Sequence, residues 1–303
     1  MTSTDLLRRA QHLREQRTPF VLATVVRALR PTSAKPGDSA LVLPDGTVEG
    51  FVGGTCAATT VRLQGLRLIS SGSSTLLRIT PDALGADDLE EIVTESEGLV
   101  TVANPCLSGG TLEIFMEAVV PPALVYVFGE APVAQALVRL GAAMGYAVSA
   151  TTDPAEPIPP DASAVVIAAH GVNEEPVIRA ALAAEIPYVG MVASRRRAEG
   201  VLDEMGLDPA QRARVHSPAG LDIGARGANE IALSIFAEMV ANRAAITTEQ
   251  TPAAPAVAID PVCGMQVAIV ADALRFEHDG TMFYFCGPGC RDAFAATPER
   301  YRR

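Results

Sequence analysis

The chain has 303 residues, 49% of them hydrophobic and 19% charged, and its 35 acidic against 24 basic side chains leave a net charge of −11. That composition supports two domains and a small appendage, and it argues against a disordered chain. The acidic balance excludes bulk electrostatic binding to nucleic acid or anionic membranes.

The N-terminal stretch MTSTDLLRRAQHLREQ is charged and amphipathic and lacks the apolar run of a secretory leader. No stretch approaches the ~20 apolar residues of a membrane span. A cytoplasmic protein without a membrane span is expected. The five cysteines, Cys56, Cys106, Cys263, Cys286 and Cys290, are odd in number. Reduced thiols that bind metal or react are therefore expected over disulfides.

Apolar positions at helical spacing predict a helix over 4–16, and the β-branched run FVLATVVRA predicts a strand over 20–28. Residues 39–43 and 47–51 read as a hairpin across Pro44-Asp45-Gly46. The loop Gly53-Gly54-Thr55-Cys56 leads into a helix over 57–70. Strands are expected at 76–79 and 111–117, the second preceded by the loop Asn104-Pro105-Cys106-Leu107-Ser108-Gly109-Gly110.

After Pro121-Pro122 strands and helices alternate. Strands are expected at 123–128, 146–151, 164–168 and 188–192, and helices at 131–144, 174–184, 195–205 and 228–244. This order indicates a parallel sheet with helices on both faces. Residues 246–258, ITTEQTPAAPAVA, read as a flexible linker. The expected class is α/β. An α+β domain occupies 1–120, a Rossmann-like parallel-sheet domain 123–245, and a small separate cysteine module 259–303.

In the last segment Cys263 lies in a turn, and Cys286-Gly287-Pro288-Gly289-Cys290 is a tight knuckle running into a helix. A C-x3-C pair can chelate one ion, and Cys263 can fold back onto it. Thiolates suit copper(I) and zinc. A module this small has little apolar core, so a metal would help it fold. Three buried core cysteines are the weaker alternative. The fourth ligand stays open between His278, water, a partner's group, or none.

In the first domain Gly50, Gly53 and Gly54 leave a backbone that an anionic ligand can approach. Cys56 would sit near a helix N-terminus, where the dipole favours a thiolate. A plain strand-to-helix connection with a small buried cysteine explains these local features equally well. Cys106 repeats the arrangement, so the two loops could flank one site.

In the second domain the first strand leads into Gly129-x-Ala131-x-x-Ala134, which lacks the glycine that lets a dinucleotide pyrophosphate approach. Asp153 could still contact a ribose. The basic cluster Ser194-Arg195-Arg196-Arg197 opens a helix just after a strand end, the edge where open α/β sheets bind ligands, and suits a phosphate, a solvated helix face being the alternative. His170, Asp222 and Arg226 are candidates to line the same crevice; His216 reads as locally satisfied.

Asp260-Pro261-Val262-Cys263-Gly264-Met265, Phe283-Tyr284-Phe285-Cys286 and Pro298-Glu299-Arg300-Tyr301 resemble the YHS domain, related to the TRASH metal-binding fold. That resemblance implies heavy-metal binding, often of copper. The stretches SAKPGDSALVLPDGTVEGFVGGTCAATTV, NPCLSGGTLEIFMEAV, YVGMVASRRRAEGVL and VHSPAGLDIGARGANEIALSI, in that order, resemble the XdhC/CoxF family of molybdenum hydroxylase maturation factors. Phe128–Ala134 and Asn104–Gly110 look closer to its CoxF-type, carbon monoxide dehydrogenase branch. Thr55 stands where that family usually has a third glycine, and Ala57-Ala58 carry no carboxylate.

The resemblance implies an accessory protein more than a stand-alone catalyst. It would bind molybdenum cofactor, as molybdopterin or its cytosine dinucleotide form, or a nucleotide. Cys56 and Cys106 would be sulfur or metal ligands, and Cys263, Cys286 and Cys290 would hold copper or zinc. The implied partners are a molybdenum hydroxylase client such as xanthine dehydrogenase or a Mo–Cu carbon monoxide dehydrogenase, a sulfur donor such as a cysteine desulfurase, and a second copy in a homodimer. An NAD(P)-dependent oxidoreductase and a metal-sensing regulator are the alternatives.

Overall fold

A computed structural model describes residues 2–81, 93–96, 98–104, 110–250 and 255–301. The chain divides into two compact units. The first joins residues 1–121 to 251–303, and the second is 122–250. Among the described residues no helix is long and apolar enough to cross a membrane.

The first unit starts with α1 (Ser3–Glu15), which opens on a Thr2–Asp5 capping box. There follow β1 (Phe20–Leu29), β2 (Ser39–Val42), β3 (Val48–Gly50), α2 (Thr55–Ser71), β4 (Thr75–Thr80), β5 (Val93–Ser96), β6 (Leu99–Ala103) and β7 (Thr111–Val119). The seven strands form one sheet in the order β3-β2-β1-β7-β4-β6-β5. All neighbours are antiparallel except β4 and β6.

Alternation along β1 sends its side chains to two faces. Phe20 joins Leu6, Ala10 and Leu13 of α1. Val21, Ala23 and Val25 join Ala57, Val61 and Leu68 of α2. Gly65 lets α2 approach closely, because a Cβ there would lie 2.8 Å from the Val42 side chain.

In the second unit, β8 (Leu124–Phe128), α3 (Pro132–Ala143), β9 (Ala147–Thr151), β10 (Ala162–Ile167), α4 (Glu174–Ala183), β11 (Tyr188–Met191), α5 (Arg195–Glu204), α6 (Pro209–Ala213), β12 (Val215–His216) and α7 (Ala228–Gln250) follow in turn. The sheet is parallel throughout, in the order β12-β11-β10-β8-β9. Val125, Val127, Ala164 and Val166 face α3 and α7. Tyr126, Phe128, Val165 and Ile167 face α4 and α5. The strand order reverses between β8 and β10, which is where such sheets open a ligand crevice.

The C-terminal segment comprises β13 (Val257–Ile259), β14 (Gln266–Ala268), β15 (Leu274–His278), β16 (Thr281–Phe285), α8 (Pro288–Ala296) and a 3-10 turn (Pro298–Tyr301). The strands pair as β13–β14 and β15–β16. Phe294 is its hub, ringed by Phe276, Phe283, Phe285 and Tyr301.

Two expectations are corrected. Residues 246–258 are not one continuous linker, since α7 continues to Gln250 and β13 begins at Val257. The cysteine module is not separate either. It packs on the outer face of α2, where Leu63 and Leu66 meet Ala268 and Val270. Arg67 donates to Gln266 at 2.8 Å, and Arg62 pairs with Asp272 at 3.0 Å. The physical reason lies in α2 itself. TCAATTVRLQGLRLISS is apolar on two sides, and the sheet covers only one. Strands β5, β6 and β12 and the short helix α6 were not expected from the sequence.

Candidate metal centre and the cavity beside it

The thiol cluster is assembled around Asp260, whose side chain is fully buried. One carboxylate oxygen accepts from the Val262 amide at 2.9 Å, and the other accepts from the Cys286 amide at 2.8 Å. A single carboxylate thus ties the Cys263 turn to the end of β16. Gly264, at φ +78°, closes that turn. Cys286 leaves β16, and Pro288 opens α8, so Cys290 lies in its first turn.

The sulfur of Cys286 is 3.6 Å from that of Cys263 and 3.7 Å from that of Cys290. A tetrahedral ion with metal–sulfur bonds of about 2.3 Å needs sulfurs about 3.8 Å apart. The donor set therefore fits a soft cation without rearrangement of the backbone. Asp260 lies within the same group of donors, all within 4.8 Å of one another. Its two oxygens already serve backbone amides, which makes it the frame of the site.

Packing thiols together separates their proton affinities. Cys263 is held below the usual thiol range, chiefly because the Cys286 thiol donates to it. Cys286 is pushed far above that range by its thiol neighbours Cys263 and Cys56, with burial adding to the effect. Burial pushes Cys290 up to about 12. Cys286 and Cys290 thus hold their protons more tightly than Cys263 does, and a bound cation would displace them.

His278 is set aside as a ligand by register. It pairs with Thr281 at the turn of the β15–β16 hairpin, whereas Leu274 at the far end pairs with Phe285, next to Cys286. Four residues of strand, about 13 Å, separate the two ends.

Cys56 arrives from the other side. It lies in the first turn of α2, after the Gly54 N-cap. Its sulfur is 4.0 Å from that of Cys286. Thr59, one turn along, donates its hydroxyl to the Cys286 carbonyl at 2.8 Å. A cavity of about 580 Å³ opens here, bounded by Thr32, Gly54, Cys56, Asn104, Cys263 and Cys290 among others. Its volume is that of a small-molecule site. Asn104 and Gly110, which bracket the second expected loop, both line it. Cys106 itself lies outside the described residues. Gly53 is buried: a Cβ there would lie 3.1 Å from Ala57 and 3.2 Å from Leu112, and its φ of +134° also disfavours a side chain.

In the second unit the remaining candidates follow the carboxyl ends of adjacent parallel strands. Gly129 follows β8, and its missing Cβ is required, since one would lie 2.3 Å from the Ala168 carbonyl oxygen. Asp153 follows β9 and is exposed, with one carboxylate oxygen capping the Ala155 amide at 2.9 Å. His170 follows β10 and is exposed at φ +52°. Ser194 caps α5, and Arg195 and Arg196 are exposed in its first turn. Arg197, by contrast, is engaged by buried Glu174. Asp222 and Arg226 are exposed in the loop between β12 and α7.

The sequence reading passed over Asp260, Thr59 and Glu238. Asp260 carries a detectable signal, an Asp opening a Pro-Val-Cys-Gly turn. Glu238 accepts from the Tyr188 hydroxyl at 2.6 Å and the Gly220 amide at 2.8 Å, and lies 3.1 Å from His216 Nδ1. That network holds His216 as a structural group, as expected. No local pattern marks Thr59 or Glu238.

Three family profiles match the chain in succession. The "XdhC and CoxI family" profile matches residues 13–80, the "XdhC Rossmann domain" profile 125–239 and the "YHS domain" profile 258–303. The chain belongs to the XdhC and CoxI family. It also carries a YHS domain. Cys56 falls in the first matched segment, and Cys263, Cys286 and Cys290 in the last.

Curated relatives include the uncharacterized protein YqeB of Escherichia coli strain K12, 24% identical over 265 residues, 78% of this chain and 46% of that protein. The molybdenum cofactor insertion chaperone PaoD of the same strain is 26% identical over 272 residues, 74% of this chain and 83% of PaoD. A copper-transporting P-type ATPase of Rhizobium leguminosarum bv. viciae is 43% identical over 53 residues, 18% of this chain and 6% of the ATPase. The chain thus spans about half of YqeB and most of PaoD.

Proposed function

We propose that the chain is a maturation chaperone that binds molybdenum cofactor and assists its insertion into a molybdenum hydroxylase. The observation that carries this is the similarity to PaoD along 74% of the chain. The cavity beside Cys56 supports it, since it is large enough for a small organic group and bordered by thiols that can ligate a metal or carry sulfur.

In this reading Cys56 and Cys106 meet the metal or sulfur end of the cofactor. Gly54, exposed at the cavity, leaves the backbone open to it, whereas Gly53 is buried against Ala57 and Leu112. Taken by itself, the carboxyl edge of the second unit would suit a phosphate-bearing ligand such as molybdopterin or its cytosine dinucleotide form. There Gly129, His170, Ser194, Arg195, Arg196, Asp222 and Arg226 offer donors and positive charge, with Asp153 at the side. A nucleotide would suit the same edge.

The YHS cysteines would hold copper or zinc. Copper is the reading that links this module to a Mo–Cu client of the carbon monoxide dehydrogenase type. A sulfur donor and a homodimer belong to the same proposal.

The test is direct. The purified chain is mixed with cofactor released from a molybdenum hydroxylase, separated by gel filtration, and assayed for molybdenum and for pterin fluorescence after oxidation. Co-elution at one cofactor per chain, reduced by Cys56→Ala, is expected. Passage of all pterin in the small-molecule fraction would overturn the reading.

A further inference from the structure

We infer that Cys56 is the fourth thiolate of a composite site for one soft cation, shared between the first turn of α2 and the YHS cysteines. The YHS segment alone leaves a three-sulfur site. Asp260 accepts a backbone amide at each oxygen and, as a hard oxygen donor, matches a soft cation less well than a fourth thiolate. His278 stands at the opposite end of its hairpin. The Cys56 sulfur completes the set around Cys286, which has thiol neighbours at 3.6, 3.7 and 4.0 Å. These separations bracket the spacing of about 3.8 Å that a tetrahedral thiolate site requires.

The approach is built, not incidental. Three interactions hold the two segments in this register: the Thr59–Cys286 hydrogen bond, the Arg67–Gln266 hydrogen bond and the packing of Leu63 and Leu66 on Ala268. Gly287, beside Cys286, sits against Thr55, the neighbour of Cys56. A methyl group on Gly287 would lie 3.5 Å from the Thr55 side chain, in ordinary van der Waals contact. Cys56 stands outside the group of donors that already lie within 4.8 Å of one another. Uptake of the ion therefore draws its side chain inward by rotation. Four thiols binding one divalent ion release their protons to solvent, and copper(I) would engage a subset of the same sulfurs.

The consequence is mutual exclusion. While the ion is bound, the Cys56 sulfur is ligated and unavailable to anything in the adjoining cavity. The inference concerns the metal alone and does not rest on the maturation reading, so the two can fail separately.

The test uses the reduced, metal-free full-length chain and cobalt(II) as probe. The wild type is expected to show a tetrahedral visible spectrum with sulfur-to-cobalt charge transfer from four thiolates. Cys56→Ser should lose about a quarter of that intensity and weaken cobalt affinity by roughly tenfold or more. Cys56→Ala, with an unchanged circular dichroism spectrum, guards against a folding artefact. In parallel, alkylation of Cys56 in the wild type, read by peptide mass spectrometry, should slow at least tenfold when zinc is bound. A Cys56→Ser spectrum and affinity equal to wild type, with Cys56 alkylated at the same rate with and without zinc, would overturn the inference.

Discussion

The hydroxyl of Thr59 donates to the carbonyl of Cys286 across 227 residues of sequence, joining the first matched segment of the chain to the last at 2.8 Å. This bond sits one turn from Cys56, so the docking of the YHS domain and the placement of the fourth thiol are one arrangement. Thr59→Val keeps the shape and removes the donor. A loss of about 1 kcal/mol of docking stability is expected. Hydrogen exchange in β14 should rise roughly fivefold in the metal-free chain. Unchanged exchange would show that the bond does not hold the domain.

Asp260 ties the Cys263 turn to Cys286 through two backbone amides. Asp260→Asn presents an amide donor to one of two backbone amides that each need an acceptor, either Val262 or Cys286. Cobalt affinity should fall on the order of 10- to 100-fold, the usual effect of disturbing a ligand's support. The number of thiolates read from the charge-transfer band should stay the same. Loss of one thiolate's intensity would instead point to a collapsed turn.

Phe294 is the centre of the YHS core, in contact with the rings of Phe276, His278, Phe283, Phe285 and Tyr301. Phe294→Ala should cost about 3–5 kcal/mol, more than so small a core can absorb. Limited proteolysis should then cut within 259–301 and leave 2–81 and 122–242 protected. A domain that stays resistant without metal would show that packing on α2 suffices to hold it.

Gly129 couples the ends of β8 and β10 in the second unit. Its φ of +116° and its 2.3 Å approach to the Ala168 oxygen both oppose a side chain. Gly129→Ala should destabilise that unit by about 1–3 kcal/mol. The chain has no tryptophan, so tyrosine fluorescence in a urea titration reports the change. The thiol cluster should keep its cobalt spectrum.

Much of the fold was legible in the chain's own pattern. The β-branched run at 20–28, the strand expected at 111–117 and the strand–helix alternation after Pro122 matched most elements within a residue or two. Strand β6, Leu99–Ala103, was missed because it is short and follows an acidic stretch that breaks the apolar period. The three YHS cysteines were legible from spacing, since a C-x3-C knuckle is local. Cys56 as their neighbour was not, because that proximity depends on which surface the C-terminal segment covers. One trace of it existed. The helix after Gly54 carries Leu63 and Leu66 as well as Val61 and Leu68, which is more apolar surface than one sheet can bury. Read strictly, that excess called for a second layer.

The placement of Cys56 against Cys286 also has a meaning for the chain as a polymer. The two cysteines are 230 positions apart, and the entire second unit lies between them. An ion held by both would act as a reversible cross-link, closing a loop longer than most disulfides enclose. In the chain-entropy picture such a closure disfavours the unfolded ensemble by about 5 kcal/mol. Metal loading would then set the resistance of the first unit to unfolding, and a chelator would remove that resistance without cutting a covalent bond.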